Sequence, residues 1–213
     1  MDRYKETFET WNKVASLYQD KFMDLAIYND SYDIICKQLT KQQPHVLEIG
    51  CGPGNISSYL LKQRPDLIIK GIDIAPNMIE LAKKNNPSGD FTVLDCRNIS
   101  ELNTKFDCII AGFCLPFLCE SESENLISDC NELLRTEGVI YLSFVEGMPE
   151  QSGYKLSSSG DRVYFNFHSL NNLSNQLKGN GFEILNILKI PFQKSATETE
   201  MHTIVIANKN SNK

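Results

Sequence analysis

The sequence has little that would mark a metalloprotein, a membrane protein or a nucleic-acid binder. Its 213 residues hold three histidines, His45, His168 and His202, far apart along the chain, so no histidine-rich zinc set is expected and no metal site is assigned. The seven cysteines are odd in number and contain no C-x-x-C pair. They read as reduced thiols of a cytoplasmic protein, most of them small core residues. No apolar run approaches the roughly 20 residues that a membrane span needs, and the opening MDRYKETFETW lacks the apolar segment of a signal peptide. The 21 Lys and Arg are scattered among 27 Asp and Glu, for a net charge of −6. Without a cationic block there is no footprint for a phosphate backbone, which argues against nucleic acid as a partner and for a small molecule. Either a monomer or a homodimer is compatible with this composition.

What is present is an ordinary globular composition, 41% hydrophobic and 23% charged, in a length suited to one domain over residues 1–213. Phe8, Trp11, Ala15, Tyr18, Phe22 and Leu25 recur at steps of three and four, the stripe of an amphipathic helix. With a second helical segment at 31–40, it makes residues 1–40 a helical cap. After Pro44, strands at 46–49, 67–74, 91–95, 106–111 and 139–144 alternate with helices at 55–63 and 76–84 and with a third one carrying Leu126 to Leu134. A Ser121–Glu124 capping box is expected ahead of that third helix. Such alternation predicts right-handed βαβ units and a parallel sheet covered on both faces. A helix ending at Gly179 and Gly181 leads into strands at 182–190 and 200–209, too closely joined to be parallel. The expected fold is therefore α/β and doubly wound: a mostly parallel seven-stranded sheet with an antiparallel C-terminal edge pair and an N-terminal helical cap. Residues 44–145 form its first part and 146–209 its second. The Gly- and Ser-rich stretch 147–161 reads as one long loop, and the closing NKNSNK as a frayed tail.

The stretch VLEIGCGPGN, residues 46–55, sets Gly50, Gly52 and Gly54 directly behind a strand and ahead of a helix. This is the first βα turn of a nucleotide-binding half, where bare backbone can lie against a ligand. Asp73 stands 19 residues beyond Gly54 at the end of the next strand, near the offset of a ribose-binding acid. The dinucleotide fingerprint fails, because its sixth position is Asn55 or Ser57 rather than Gly or Ala. No GxxxxGK[ST] phosphate loop occurs either. Glu48, just before the glycines, is awkward for a pyrophosphate and favourable for a cationic ligand.

EIGCGPG at 48–54, GIDIAPNMIELAKK at 71–84, FTVLDCRNIS at 91–100 and FDCIIAGFCLPFL at 106–118 closely resemble the class I methyltransferases that use S-adenosyl-L-methionine (SAM). The resemblance covers about residues 44 to 145 and implies a small-molecule methyltransferase with SAM as its cofactor. It implies that Gly50, Gly52 and Gly54 pass under the methionine part and that Asp73 holds the ribose. Asp95 and Cys96 would meet the adenine, with Ile74 and Met78 on its face, and Gly112 would face the methionine ammonium. Cys96, Ile74 and Met78 have the alternative reading of core residues. Trp11 and Tyr18 resemble cofactor-facing aromatics of a cap that closes over SAM; the alternative is a helix simply laid on the domain.

The acceptor would meet residues after the fourth and fifth strands. Where many small-molecule members carry a histidine, this chain reads CLPFL, so Phe117 becomes an aromatic wall or a buried turn. Glu146 and His168 are the candidate acid–base groups, Glu146 also for binding an ammonium and His168 also as a packed histidine. Tyr154 and Arg162, bordering the 147–161 stretch, are candidates for holding the substrate. The competing readings are a SAM-binding module without catalysis and an NAD-dependent oxidoreductase.

Overall fold

The computed structural model describes residues 3–156 and 160–210. Seven strands form one sheet: β1 (His45–Ile49), β2 (Ile68–Asp73), β3 (Asp90–Val93), β4 (Phe106–Gly112), β5 (Leu134–Val145), β8 (Phe182–Gln193) and β9 (Thr199–Lys209). A separate hairpin pairs β6 (Gly153–Leu156) with β7 (Arg162–Phe165). The main sheet has the order β3-β2-β1-β4-β5-β9-β8. Its first five strands are parallel; β9 runs antiparallel between β5 and β8. The strand order reverses between β1 and β4, which is where open α/β sheets place their ligands, beyond the carboxyl ends of the strands.

Alternation along the central strands feeds two apolar cores, one on each face. Leu47, Ile49, Ile109, Ala111, Ile140 and Leu142 pack toward helices α6 (Glu120–Leu133) and α7 (Leu170–Gly179). Val46, Cys108, Ile110, Val139 and Tyr141 pack toward α3 (Asn29–Gln38), α4 (Asn55–Gln63) and α5 (Pro76–Asn85). Both sides of these strands are buried, which is why they read as continuous hydrophobic runs.

The cap comprises α1 (Arg3–Lys13), α2 (Ala15–Phe22) and a single turn at Ala26–Tyr28. It is anchored on two sides. Asn77 donates its backbone N–H to Asn12 Oδ1 at 2.9 Å and Asn85 donates to Gln19 at 2.8 Å, tying the cap to α5. On the other side Thr7 accepts from Tyr164 N at 3.1 Å, and Lys13 pairs with Asp161 at 2.8 Å.

Several local expectations are corrected. The stretch 147–161 is not one long loop. It holds a turn at Pro149–Gln151 and strand β6, leaving residues 157–159 outside the described ones. Alternating Tyr154, Leu156 and Val163, Phe165 suit a hairpin, a signal masked in sequence by the surrounding glycines and serines. Helix α6 is capped at Cys119, whose N–H donates to Glu122 at 2.8 Å, and not at Ser121–Glu124. Leu134 opens β5 and does not close α6. Asn208 and Lys209 of the supposed tail belong to β9, and the tail beyond Asn210 lies outside the described residues.

Candidate active site

Beyond the carboxyl ends of β1, β2 and β4 lies a cavity of about 410 Å3, roofed by α1 and α2. Its floor begins at the glycine bend. Gly50, Gly52 and Gly54 all have positive φ, at 64°, 52° and 79°, so the bend demands glycine whatever lies beside it. A Cβ on Gly54 would come 2.4 Å from Asn86 Nδ2, and one on Gly50 would come 3.0 Å from Cys114 Cβ. Only Gly52 has no atom closer than 3.7 Å, the nearest being the Tyr18 ring across the cavity. Two of the three glycines are thus required by the protein's own packing, and Gly52 is the one that leaves room.

Asp73 ends β2 at the cavity wall. Its Oδ2 accepts the Gly52 N–H at 2.9 Å and its Oδ1 accepts the Ala75 N–H at 2.8 Å. Each oxygen retains a lone pair for a ligand hydroxyl. Burial holds this carboxyl above its ordinary value, against the pull of those N–H groups. Glu48 is almost fully buried and accepts from the Ser57 N–H at 3.1 Å and from its hydroxyl. Burial outweighs these bonds and pushes the Glu48 carboxyl up to about 8. Tyr18 is pushed up to about 12 by burial and by its proximity to Asp73 and Glu48. Among the described residues, no cation is hydrogen-bonded to Glu48 or Asp73.

Along one flank, Ile74, Met78, Asp95, Cys96 and Arg97 line the cavity. Burial drives Asp95 upward, but Arg97 dominates and keeps it ionised below its ordinary value, with the pair 2.5 Å apart. Burial pushes the Cys96 thiol up to about 12, so it stays neutral. The roof is aromatic. Trp11 makes edge contacts with Tyr18 at 5.6 Å and Phe117 at 5.4 Å, and its indole N–H is buried without a hydrogen-bond partner. An orphan donor of that kind fits a ligand acceptor. Gly112 closes the floor at the end of β4.

The structure thus brings Trp11, Tyr18, Glu48, Gly50, Gly52 and Asp73 to one cavity, and Ile74, Met78, Asp95, Cys96, Gly112 and Phe117 to the same one. Five expected site residues lie elsewhere. Gly54 is turned into α5. Glu146 accepts from Lys189 and Thr203, each at 2.8 Å; their hold outweighs burial and keeps it ionised. His168 offers Nε2 to the Leu115 and Leu118 carbonyls at 2.9 and 3.1 Å, and burial disfavours its protonation. It braces the turn that carries Phe117 and is a packed histidine. Arg162 ion-pairs with Glu6 and stacks over Tyr154 at 4.2 Å, so Arg162 fastens the hairpin to α1 and Tyr154 packs against it. Glu146 and His168 therefore do not reach the cavity as acid–base groups, and Tyr154 and Arg162 do not hold a substrate there.

The far end of the cavity was not anticipated. It is lined by Tyr28, Phe113, Phe192, Lys194, Glu200 and His202. The β5–β9 pairing sets His202 opposite Val145, at the carboxyl end of β5. The available signal was the E-x-H spacing in EMHTIVIANK, which places Glu200 and His202 on one face of a strand. Assigning it to this end required the register of β9.

Residues 46–138 match the family model described as a methyltransferase domain. A putative methyltransferase of Invertebrate iridescent virus 6 is 29% identical over 117 residues, 55% of this chain and 42% of that protein. An uncharacterized methyltransferase of Oceanobacillus iheyensis is 31% identical over 140 residues, 63% of each chain. The chain thus spans less than two thirds of the length of these relatives. In structure it is similar to a 1,6-didemethyltoxoflavin-N1-methyltransferase of Burkholderia thailandensis with S-adenosylhomocysteine bound. That similarity has a TM-score of 0.73 at 19% identity and covers 97% of this chain and 88% of the other; it concerns the fold.

Proposed function

We propose that this chain, whose residues 46–138 match the family model of a methyltransferase domain, moves a methyl group from SAM to a small-molecule acceptor. The observation that carries this reading is the convergence of Gly52, Asp73, Asp95 and buried Glu48 on one cavity. A ribose needs paired acceptors, which Asp73 offers. A ligand with a sulfonium and an ammonium needs nearby negative charge rather than a phosphate cradle; Asp73 supplies that charge, and Glu48 can ionise beside the bound cation. An adenine amino group needs an acceptor, which Asp95 offers even while it binds Arg97.

Bound SAM supplies an electrophilic methyl group on a good leaving group. The chain's own task is to hold donor and acceptor in line and to exclude water. The aromatic roof of Trp11, Tyr18 and Phe117 would exclude water, and Phe113 lines the same cavity. We read the acceptor as a small molecule because the cavity lies beneath the helices of the cap. Seven free cysteines favour a reducing, cytoplasmic setting, and among the described residues no helix is long and apolar enough to cross a membrane.

Calorimetry with SAM, S-adenosylhomocysteine, NAD and ATP tests the reading. Saturable binding of the first two alone supports it. Binding of NAD in their place overturns it.

A further inference from the structure

We propose that Tyr28, His202 and Glu200 form a proton relay at the far end of the cavity, serving an acceptor that presents a weakly acidic hydroxyl on a flat ring, such as a phenol. The proposal rests on the methyl-transfer reading above and adds the acceptor class and the groups that deprotonate it.

The Tyr28 hydroxyl lies 2.6 Å from His202 Nδ1. On the other side of the ring, His202 Nε2 is buried and has no hydrogen-bond partner. Its nearest anionic atom is Glu200 Oε2 at 3.7 Å, within ion-pair reach but too long for a hydrogen bond. Phe192 stacks on the imidazole at 4.7 Å and Phe113 meets it edge-on at 4.8 Å. These walls seal Nε2 from the cavity, so a base acting directly through Nε2 is ruled out by access. The proposed route runs through Tyr28, which lines the same cavity.

Charge orders the three groups. The His202 ring beside it, outweighing burial and aided by Lys194, holds the Glu200 carboxyl down to about 2. Lys194 sits 2.6 Å from the other carboxylate oxygen. A carboxylate facing Nε2 favours the tautomer with its proton there, leaving Nδ1 to accept from Tyr28. Burial and nearby Tyr18, Tyr141 and Glu200 push the Tyr28 phenol far up, so it stays protonated and can donate. The charged and titratable groups facing His202 are Tyr28 ahead of α3 and Glu200 near the β8–β9 turn, the latter held by Lys194.

In the relay, the acceptor oxygen gives its proton to the Tyr28 oxygen while the Tyr28 proton passes to Nδ1. The resulting imidazolium is stabilised by Glu200. The acceptor oxygen supplies the electron pair of the new O–CH3 bond, and the pair of the broken S–CH3 bond stays on sulfur. The acceptor class follows from this chemistry. An imidazole-based relay suits a hydroxyl of phenolic acidity, and the walls formed by Phe113 and Phe192 suit a flat ring.

The test uses the whole chain, with catechol, hydroquinone and 4-hydroxybenzoate set against primary amines of similar size as methyl acceptors. The relay predicts transfer to at least one phenol, with H202Q and Y28F each lowering turnover about 100-fold at an unchanged KM. Both variants should bind S-adenosylhomocysteine like the parent, which also reports that they fold. Independently, 15N-histidine NMR of the parent should show neutral His202 protonated at Nε2. Proton placement on Nδ1, or parental turnover in H202Q, overturns the relay. Methylation of the amines alone overturns the acceptor class. Loss of S-adenosylhomocysteine binding in the parent itself overturns the underlying reading instead.

Discussion

The backbone N–H of Gly52 donates to Oδ2 of Asp73 across 2.9 Å, so the glycine bend after β1 and the acid ending β2 act as one unit. Parallel pairing of β1 with β2 sets Ile49 beside Ile72, which aligns the two strand ends for this bond. The acid thereby orients the bend while its remaining lone pairs face the cavity.

Asp73→Ala should weaken S-adenosylhomocysteine binding by roughly 10- to 100-fold. The loss corresponds to charge-assisted hydrogen bonds of about 1.5–3 kcal/mol. Asp73→Asn, which keeps one acceptor oxygen, should lose less. Calorimetry on both variants checks the order, and equal affinity in all three proteins would remove Asp73 from the ribose site.

Glu48 should make both binding and stability depend on pH. With its carboxyl at about 8 in the free protein, it carries a proton at pH 7, and a cationic ligand beside it favours the ionised form. SAM binding at pH 7 should therefore release a proton, and the apparent enthalpy should vary with the buffer's ionisation enthalpy. For stability the sign is opposite to that of a paired acid. The folded state holds its proton more tightly than the unfolded chain, whose Glu titrates near about 4.3. This contribution is fully present below that pH and is lost as pH rises through about 8. Glu48→Gln should flatten that decline and abolish the buffer dependence.

Alanine substitutions at the glycine bend should separate stability from binding. Gly54→Ala combines a φ of 79° with a Cβ only 2.4 Å from Asn86 Nδ2, so it should lower the unfolding free energy by about 1–3 kcal/mol. Gly52→Ala carries the strain of a positive φ without that clash. It should cost less stability and impair S-adenosylhomocysteine binding more. Urea titration and calorimetry on the two variants check both halves.

Removing residues 1–25 should weaken S-adenosylhomocysteine binding by roughly 10- to 100-fold, because the deletion strips the Trp11 and Tyr18 walls, whose partial burial against the ligand is together worth about 1.5–3 kcal/mol. Trp11→Ala should reproduce part of the loss in a chain whose cap is otherwise intact. Unchanged affinity in both would reduce the cap to a packing element.

The gathering of the glycine bend and its acids at one cavity was legible because its signals are local. Gly50 to Gly54, Asp73 and Asp95 each sit at the end of a strand visible as an apolar run, and parallel βαβ rules carry those ends to one edge. The far end was not, because it depends on pairings distant in sequence. Nothing in the neighbourhood of Glu146 shows that Lys189 and Thr203 will claim its carboxylate. Nor does the run YFNFH reveal that His168 will turn toward the carbonyls of 115 and 118. His202 was hidden for the same reason: its place follows from β9 inserting between β5 and β8, a register no short window contains.

That insertion divides labour along the polypeptide. The bend and acids of the cofactor end come from residues 48 to 97, whereas Phe192, Lys194, Glu200 and His202 come from a single hairpin. On the methyl-transfer reading, new loop sequences grafted onto that hairpin would retune the choice of acceptor while leaving the glycine bend and its acids untouched. The fold thus lets selection explore chemistry at one end without renegotiating the other.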